Sequence, residues 1–174
     1  MEGMNVLSLF DGMSCGRIAL ERAGIKVNQY FASEIKPHAI KCTQANYPNT
    51  IQLGSVLYVK GIDLPKIDIL CGGSPCKGIS RLNKNQEGLE HSESRLFWEY
   101  VRLLEETKPK YFLLENTHGN KEATDIITET LGVKPVSINS KLVSAQNRPR
   151  YYWTNIPGIK KPNDKCITTD DVFD

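Results

Sequence analysis

Ile69-Leu70-Cys71-Gly72-Gly73-Ser74-Pro75-Cys76 is the stretch from which the rest of the chain can be read. The apolar run over 67–70 reads as a buried strand that ends at the two glycines. Pro75 stiffens the backbone beyond them, and Cys76 stands at the mouth of a polar loop over 77–94. In an open α/β sheet, ligands and catalytic groups gather outside the carboxyl ends of the strands. A thiol there is placed to act as a nucleophile. Free cysteines are also commonly buried and inert, so Ser-Pro-Cys alone leaves both readings open.

Upstream, residues 5–10 form a compact apolar strand, turned sharply by Asp11-Gly12-Met13-Ser14-Cys15-Gly16. Helical periodicity over 17–23 then closes at Gly24. Strand, glycine turn and helix open a nucleotide-type unit in which backbone N–H groups face a ligand. The turn lacks the G-x-G-x-x-G pattern, which weighs against a nicotinamide dinucleotide. A second strand over 27–33 ends on Glu34, about twenty residues after the turn, where a carboxylate suits ribose hydroxyls. Glu34 could equally cap the helix expected over 37–47. A short strand over 51–53 leads to Gly54, Ser55 and Val56, a third loop at the same sheet edge.

Downstream, the 77–94 loop carries Lys77, Arg81 and Lys84, and loops of this length commonly serve as lids or binding loops. An amphipathic helix over 95–106 buries Leu96, Phe97, Tyr100, Leu103 and Leu104. A strand over 111–114 delivers Glu115 and Asn116, so a thiol and a carboxylate are expected on adjacent strand ends. A helix over 124–131 and strands over 136–138 and 151–154 follow. Arg148, Pro149 and Arg150 form an extended segment with both guanidinium groups on one face.

At 174 residues the chain is one domain with a proper core. Its 40% hydrophobic and 24% charged content is ordinary for a globular protein. No run approaches a membrane span and no secretory leader is apparent. The five cysteines (Cys15, Cys42, Cys71, Cys76, Cys166) form no C-x-x-C pair, so neither a disulfide framework nor a metal site is indicated. They point to a reducing, cytoplasmic setting. A net charge of +2 neither demands nor excludes nucleic acid, so any basic footprint is local.

With these residues in view, FDGMSCG, Glu34, GGSPC, ENT and QNRPR resemble, in that order, the motifs of the DNA (cytosine-5) methyltransferases. LSLFDG, ASE, RLFWEY and the Tyr-Trp after the arginines are similar to animal de novo methyltransferase catalytic domains and their phage and bacterial relatives. The resemblance implies a Rossmann-like α/β class I methyltransferase fold: a mostly parallel twisted sheet with an antiparallel terminal strand and helices on both faces. It places the catalytic domain at 4–161 and a tail at 162–174, with no target-recognition region apparent.

The same resemblance implies roles. Cys76 would add to C6 of a cytosine flipped out of the duplex. Glu115 would hold N3 and the exocyclic amine, Arg150 the O2, and Arg148 would sit by the thiolate, where positive charge lowers a thiol pKa. The implied methyl donor is S-adenosyl-L-methionine, with Phe10 at the adenine, Asp11 and Gly12 at the amino-acid end and Glu34 at the ribose. Ile35 and Val56 would line the adenine slot, with Ser55 and Pro75 also in the donor site; no metal is implied. The implied partner is double-stranded DNA, and no membrane; target recognition is expected to come from a second chain, to come from another copy of this one, or to have been lost. A bacterial or phage-infected cytoplasm fits, or a nucleus for a eukaryotic source. Two departures stand out: Ser55 replaces the family's usual aspartate at the adenine edge, and Thr117 replaces valine after Glu115-Asn116. With no reading module visible, the chain alone is expected to methylate poorly or without sequence preference. The alternatives are a non-catalytic donor- or DNA-binding subunit and a cysteine enzyme of the same fold acting on small molecules.

Overall fold

The computed structural model describes residues 3–75, 96–119 and 121–172. The elements are β1 (Met4–Leu9), α1 (Cys15–Arg22), β2 (Val27–Ser33), α2 (Pro37–Asn46), β3 (Ile51–Gln52), β4 (Ile69–Gly72), α3 (Leu96–Thr107), β5 (Tyr111–Asn116), α4 (Lys121–Leu131), β6 (Val136–Asn139) and β7 (Pro149–Thr154). Short 3₁₀ turns lie at Val56–Tyr58, Gly61–Asp63, Ser140–Leu142 and Thr169–Asp171.

The described strands form one seven-stranded sheet in the order β3-β2-β1-β4-β5-β7-β6. All pairings are parallel except those of β7, which runs antiparallel to both β5 and β6. The expected α/β architecture is present, with one refinement. The terminal strand lies one place in from the edge, because the α4 crossover carries β6 past a gap that β7 then fills.

Strand side chains alternate between two packed faces. Leu7, Leu9, Phe31, Leu70 and Leu114 meet Phe97, Tyr100 and Leu103 of α3, and Ala123, Ile127 and Leu131 of α4. Val6, Tyr30, Ala32, Ile69 and Cys71 form the second face, against which Leu20 of α1 packs. Burial on both sides explains why these strands read as continuous apolar runs. At the end of α1, Gly24 takes a φ of 71°, and Ile25 N donates to Leu20 O at 2.9 Å. That is a Schellman closure, available at low cost to a residue without a Cβ. Pro37 opens α2 at its first turn, where no N–H is needed.

Several boundaries differ from expectation: α4 begins at Lys121, three residues early, and β5 pairs with β7 through Asn116, so Glu115 lies within the strand and not beyond it. The strand expected over 67–70 pairs only from Ile69 to Gly72, because its register against β1 runs from Val6↔Ile69 to Leu9↔Gly72. Ile67 is buried but precedes the ladder. Helix α1 begins at Cys15, inside the glycine turn, and β7 begins at Pro149, which puts Arg150 within the strand. Cys76, the 77–94 loop with Lys77, Arg81 and Lys84, and residue 95 lie outside the described residues. Among the described residues, no helix is long and apolar enough to cross a membrane, and no cluster of His, Cys, Asp or Glu could hold a metal ion.

Candidate active site

From β1 the chain steps through β2 to β3 on one side, then returns to place β4 and β5 on the other. The strand order therefore reverses between β1 and β4, the point at which an open sheet of this kind forms its crevice, outside the carboxyl ends. The loops that follow β1, β2, β3, β4 and β5 all lie along this edge.

The turn after β1 is held in an uncommon conformation. Phe10, Gly12 and Ser14 have φ values of 56°, 60° and 60°. For the two residues with a Cβ this costs on the order of 1–2 kcal/mol each. A buried network offsets that strain. Asp11 accepts a very short hydrogen bond from Ser14 Oγ and another from Tyr30 OH at 2.8 Å. Ser14 Oγ also lies 3.0 Å from Thr43 Oγ1 of α2. Burial, with Cys71 and Asp11 beside it, pushes the Tyr30 phenol well above its ordinary range. Tyr30 therefore stays a donor, and the Asp11 carboxylate serves to hold the turn.

Glu34 leaves the end of β2 and binds three backbone N–H groups: Gly12 at 2.8 Å, Ile35 at 2.8 Å and Lys36 at 2.9 Å. Burial pushes its pKa up, but the bonds from Lys36, Ile35 and Gly12 outweigh that, and the carboxyl sits below its usual value. Glu34 binds no N–H within α2, since its two bonds next to the helix go to Ile35 and Lys36, ahead of Pro37. Ser33 Oγ donates to Gly54 O at 2.8 Å, joining the β2 and β3 ends. Ser55 Oγ accepts from Leu57 N and caps the first 3₁₀ turn. Ile35 is 68% exposed, whereas Val56 is 5% exposed, within the core cluster against which Phe10 packs.

Across the crevice, the paired glycines do more than end a strand. A Cβ on Gly72 would lie 2.7 Å from Leu9 O, and one on Gly73 would lie 2.9 Å from Glu115 Oε2. Each glycine lets β4 approach one neighbour, β1 on one side and β5 on the other. Glu115 and Arg150 form an ion pair, with Nε 2.8 Å from Oε1, and their side chains are 33% and 16% exposed. Arg150 Nη1 also donates to Pro149 O. Register sets this pairing: Tyr152 lies opposite Glu115, and Arg150 is the next residue on the same face. Arg148 is exposed. Burial, then the charge of Glu115, raises the Tyr152 pKa, while Arg150 and Arg148 draw it down.

Asn116, 2% exposed, donates to Ser74 Oγ at 3.2 Å and Ser74 O at 3.4 Å. It fixes the chain to within one residue of Pro75, which is partly buried. Burial pushes the Cys71 thiol up to about 11, so this neighbour is held protonated. Tyr30 and Thr43 were not singled out in the sequence, and Asn116 and Tyr152 stood there only as parts of motifs, with no role attached. Tyr30 and Tyr152 could have been found by carrying the strand alternation to each strand end. For Thr43, in the middle of a helix, no local signal exists.

The sequence profile of the C-5 cytosine-specific DNA methylase family matches residues 4–166. The chain is 34% identical over 176 residues to the type II methyltransferase M.NgoBV of Neisseria gonorrhoeae, covering 88% of this chain and 41% of that protein. It is 31% identical over 180 residues to the orphan methyltransferase M.Rho11sI of Bacillus phage rho11s, covering 96% and 36%. A crystal structure of a prophage-encoded E. coli protein, described as a DNA modification methyltransferase, superposes with a TM-score of 0.72 at 25% identity, covering 87% of this chain and 46% of that one. This chain spans less than half the length of each.

Proposed function

Because the chain belongs to the C-5 cytosine-specific DNA methylase family, we propose that it transfers a methyl group from S-adenosyl-L-methionine to C5 of cytosine in double-stranded DNA. The observation that carries this reading is the Glu115–Arg150 pair, set beside the Asn116–Ser74 anchor that leads through Pro75 to Cys76. An acceptor and a donor held together in a crevice suit the polar edge of a pyrimidine.

In this reading the Cys76 thiolate forms a bond to C6 of a cytosine turned out of the duplex. The electron pair displaced from the C5=C6 bond spreads toward N3 and O2. A proton shared between Glu115 and N3 offsets the charge that develops there and returns to Glu115 as the C4–N3 double bond re-forms, while Glu115 accepts from the exocyclic amine and Arg150 donates to O2. Arg148 adds positive charge near the thiolate. After C5 gains the methyl group, loss of its proton to a base restores the double bond as the S–C6 bond breaks, and the thiolate leaves.

The donor supplies an electrophilic methyl on a sulfonium, and the residues of the crevice fit it. An ionised carboxylate offers about four lone-pair sites. Glu34 uses three on backbone N–H groups, which leaves one on Oε2 for a ribose hydroxyl. Gly12 and the turn held by Asp11 would face the amino-acid end. Phe10, exposed Ile35, Ser55 and Val56 would border the adenine, and Pro75 would lie toward the reacting methyl.

The test is covalent trapping on duplex DNA containing 5-fluorocytosine, whose C5 has no proton to lose. The wild-type chain is expected to form a denaturation-resistant adduct that requires S-adenosylmethionine, and Cys76→Ser to form none while still binding the donor. Trapping that survives this substitution, or moves to Cys71, would overturn the assignment.

A further inference from the structure

We propose that Arg102 is a positioning residue for the nucleoside end of the methyl donor, an inference that rests on the donor site read above. Between β3 and β4 the chain makes two 3₁₀ turns, Val56–Tyr58 and Gly61–Asp63. The turns bond Ser55 O, Val56 O, Lys60 O and Gly61 O internally, Val56 O only at 3.3 Å from Val59 N, which leaves Val59 O to a donor from elsewhere and room for a second donor at Val56 O. Arg102 of α3 supplies them, donating through Nη2 to Val59 O at 3.0 Å and Val56 O at 3.2 Å.

The guanidinium is itself held in place. Glu99 accepts from Nε at 2.9 Å and Nη2 at 2.7 Å, and Glu106 accepts from Nη1 at 2.8 Å. Glu106 reaches further and takes Gly61 N at 2.7 Å. The contact is close: a Cβ on Gly61 would lie 2.7 Å from Glu106 Cβ. One planar fork therefore serves two carboxylates and two carbonyls. A lysine, with three donors on one nitrogen, cannot reproduce that geometry.

What the clamp holds is the adenine side of the proposed site. Its start is tied to the strand bearing Glu34 by the Ser33–Gly54 bond. Its outer face carries little packing, for Leu57 is 57% exposed and Tyr58 81% exposed. The position of Ser55 and Val56 relative to Glu34 is therefore set from the inside, by α3. Without Arg102 the turn would spend only part of its time where an adenine can meet it. Apparent affinity falls in proportion to that fraction.

The experiment uses the full chain as wild type, Arg102→Gln and Arg102→Lys. Calorimetry measures S-adenosylhomocysteine and 5′-methylthioadenosine, which share the nucleoside but not the amino-acid end. Hydrogen exchange follows the 55–61 amides against those of β1 and β2. For Arg102→Gln we expect both ligands to weaken by the same factor, about tenfold if the turn is competent a tenth of the time. Exchange at Tyr58 and Val59 should quicken while β1 and β2 stay protected. Arg102→Lys keeps positive charge beside Glu99 and Glu106, and should show a smaller loss of the same pattern; it decides the matter if the glutamine variant does not fold. Unchanged affinity in either folded variant, or a loss only for the ligand with the amino-acid end, overturns the proposal and leaves the donor site standing. Faster exchange throughout β1 and β2 overturns it as mere destabilisation. Failure of the wild type to bind either ligand overturns the donor site and this inference with it.

Discussion

Replacing Glu34 with glutamine preserves shape but removes one acceptor and the charge. In the native chain the carboxylate accepts from Gly12, Ile35 and Lys36 at 2.8–2.9 Å. The glutamine oxygen can keep Ile35 and Lys36, which leaves its NH₂ facing the Gly12 N–H, donor against donor. Bonds to a charged acceptor contribute about 1.5–3 kcal/mol each and neutral ones about 1, so exchanging three of the first for two of the second would cost a fully buried site on the order of 2–7 kcal/mol. Glu34 is only partly buried, and solvent screening reduces this to about 1–2 kcal/mol. For a chain of this size that lowers the melting temperature by about 2–8 °C.

The pH dependence identifies the cause. The native pKa of Glu34 is depressed, so its contribution is complete above the unfolded value of about 4.3 and disappears as pH falls through the lower native one. The stability gap between wild type and Glu34→Gln, measured by urea unfolding, should be equal at pH 7 and pH 5 and close toward pH 3. A variant as stable as wild type at pH 7, or a gap as wide at pH 3, would refute the reasoning.

Gly72→Ala should destabilise more than Gly73→Ala, by about 1–3 kcal/mol for the former. The added methyl of Gly72→Ala meets the backbone of β1, whereas that of Gly73→Ala meets the end of the Glu115 side chain. Thermal unfolding of the two variants checks the order, and the reverse order would show that Glu115 is the more rigid neighbour. Ser55→Asp should tighten S-adenosylhomocysteine binding by up to roughly tenfold, since a charged acceptor outweighs a hydroxyl by about 1 kcal/mol. Aspartate also preserves the cap on Leu57 N. Calorimetry showing weaker or unchanged binding would mean that this loop does not reach the adenine.

The order of strands and helices was legible in the sequence because apolar periodicity and glycine or proline punctuation are local signals, carried within a few residues of the element they mark. Glu34, Glu115 and Arg150 could be singled out for the same reason, each standing at or near a strand end in a recognisable phrase. Partners were another matter, because they depend on register and on which strands become neighbours. That β4 lies between β1 and β5 decided that Gly72 and Gly73 serve close packing. Insertion of β7 beside β5 decided that Arg150 meets Glu115. Nothing in the local sequence marks Arg17, yet it is buried, donating to Thr50 and Asn49 and lying over the Tyr47 ring. Nor does anything local mark Arg102, which lies outside the apolar positions of its helix and holds carbonyls 43 and 46 residues upstream. Local pattern specifies which face of an element is apolar. Only tertiary packing, by bringing distant backbone next to that element, decides which of its polar groups have work to do.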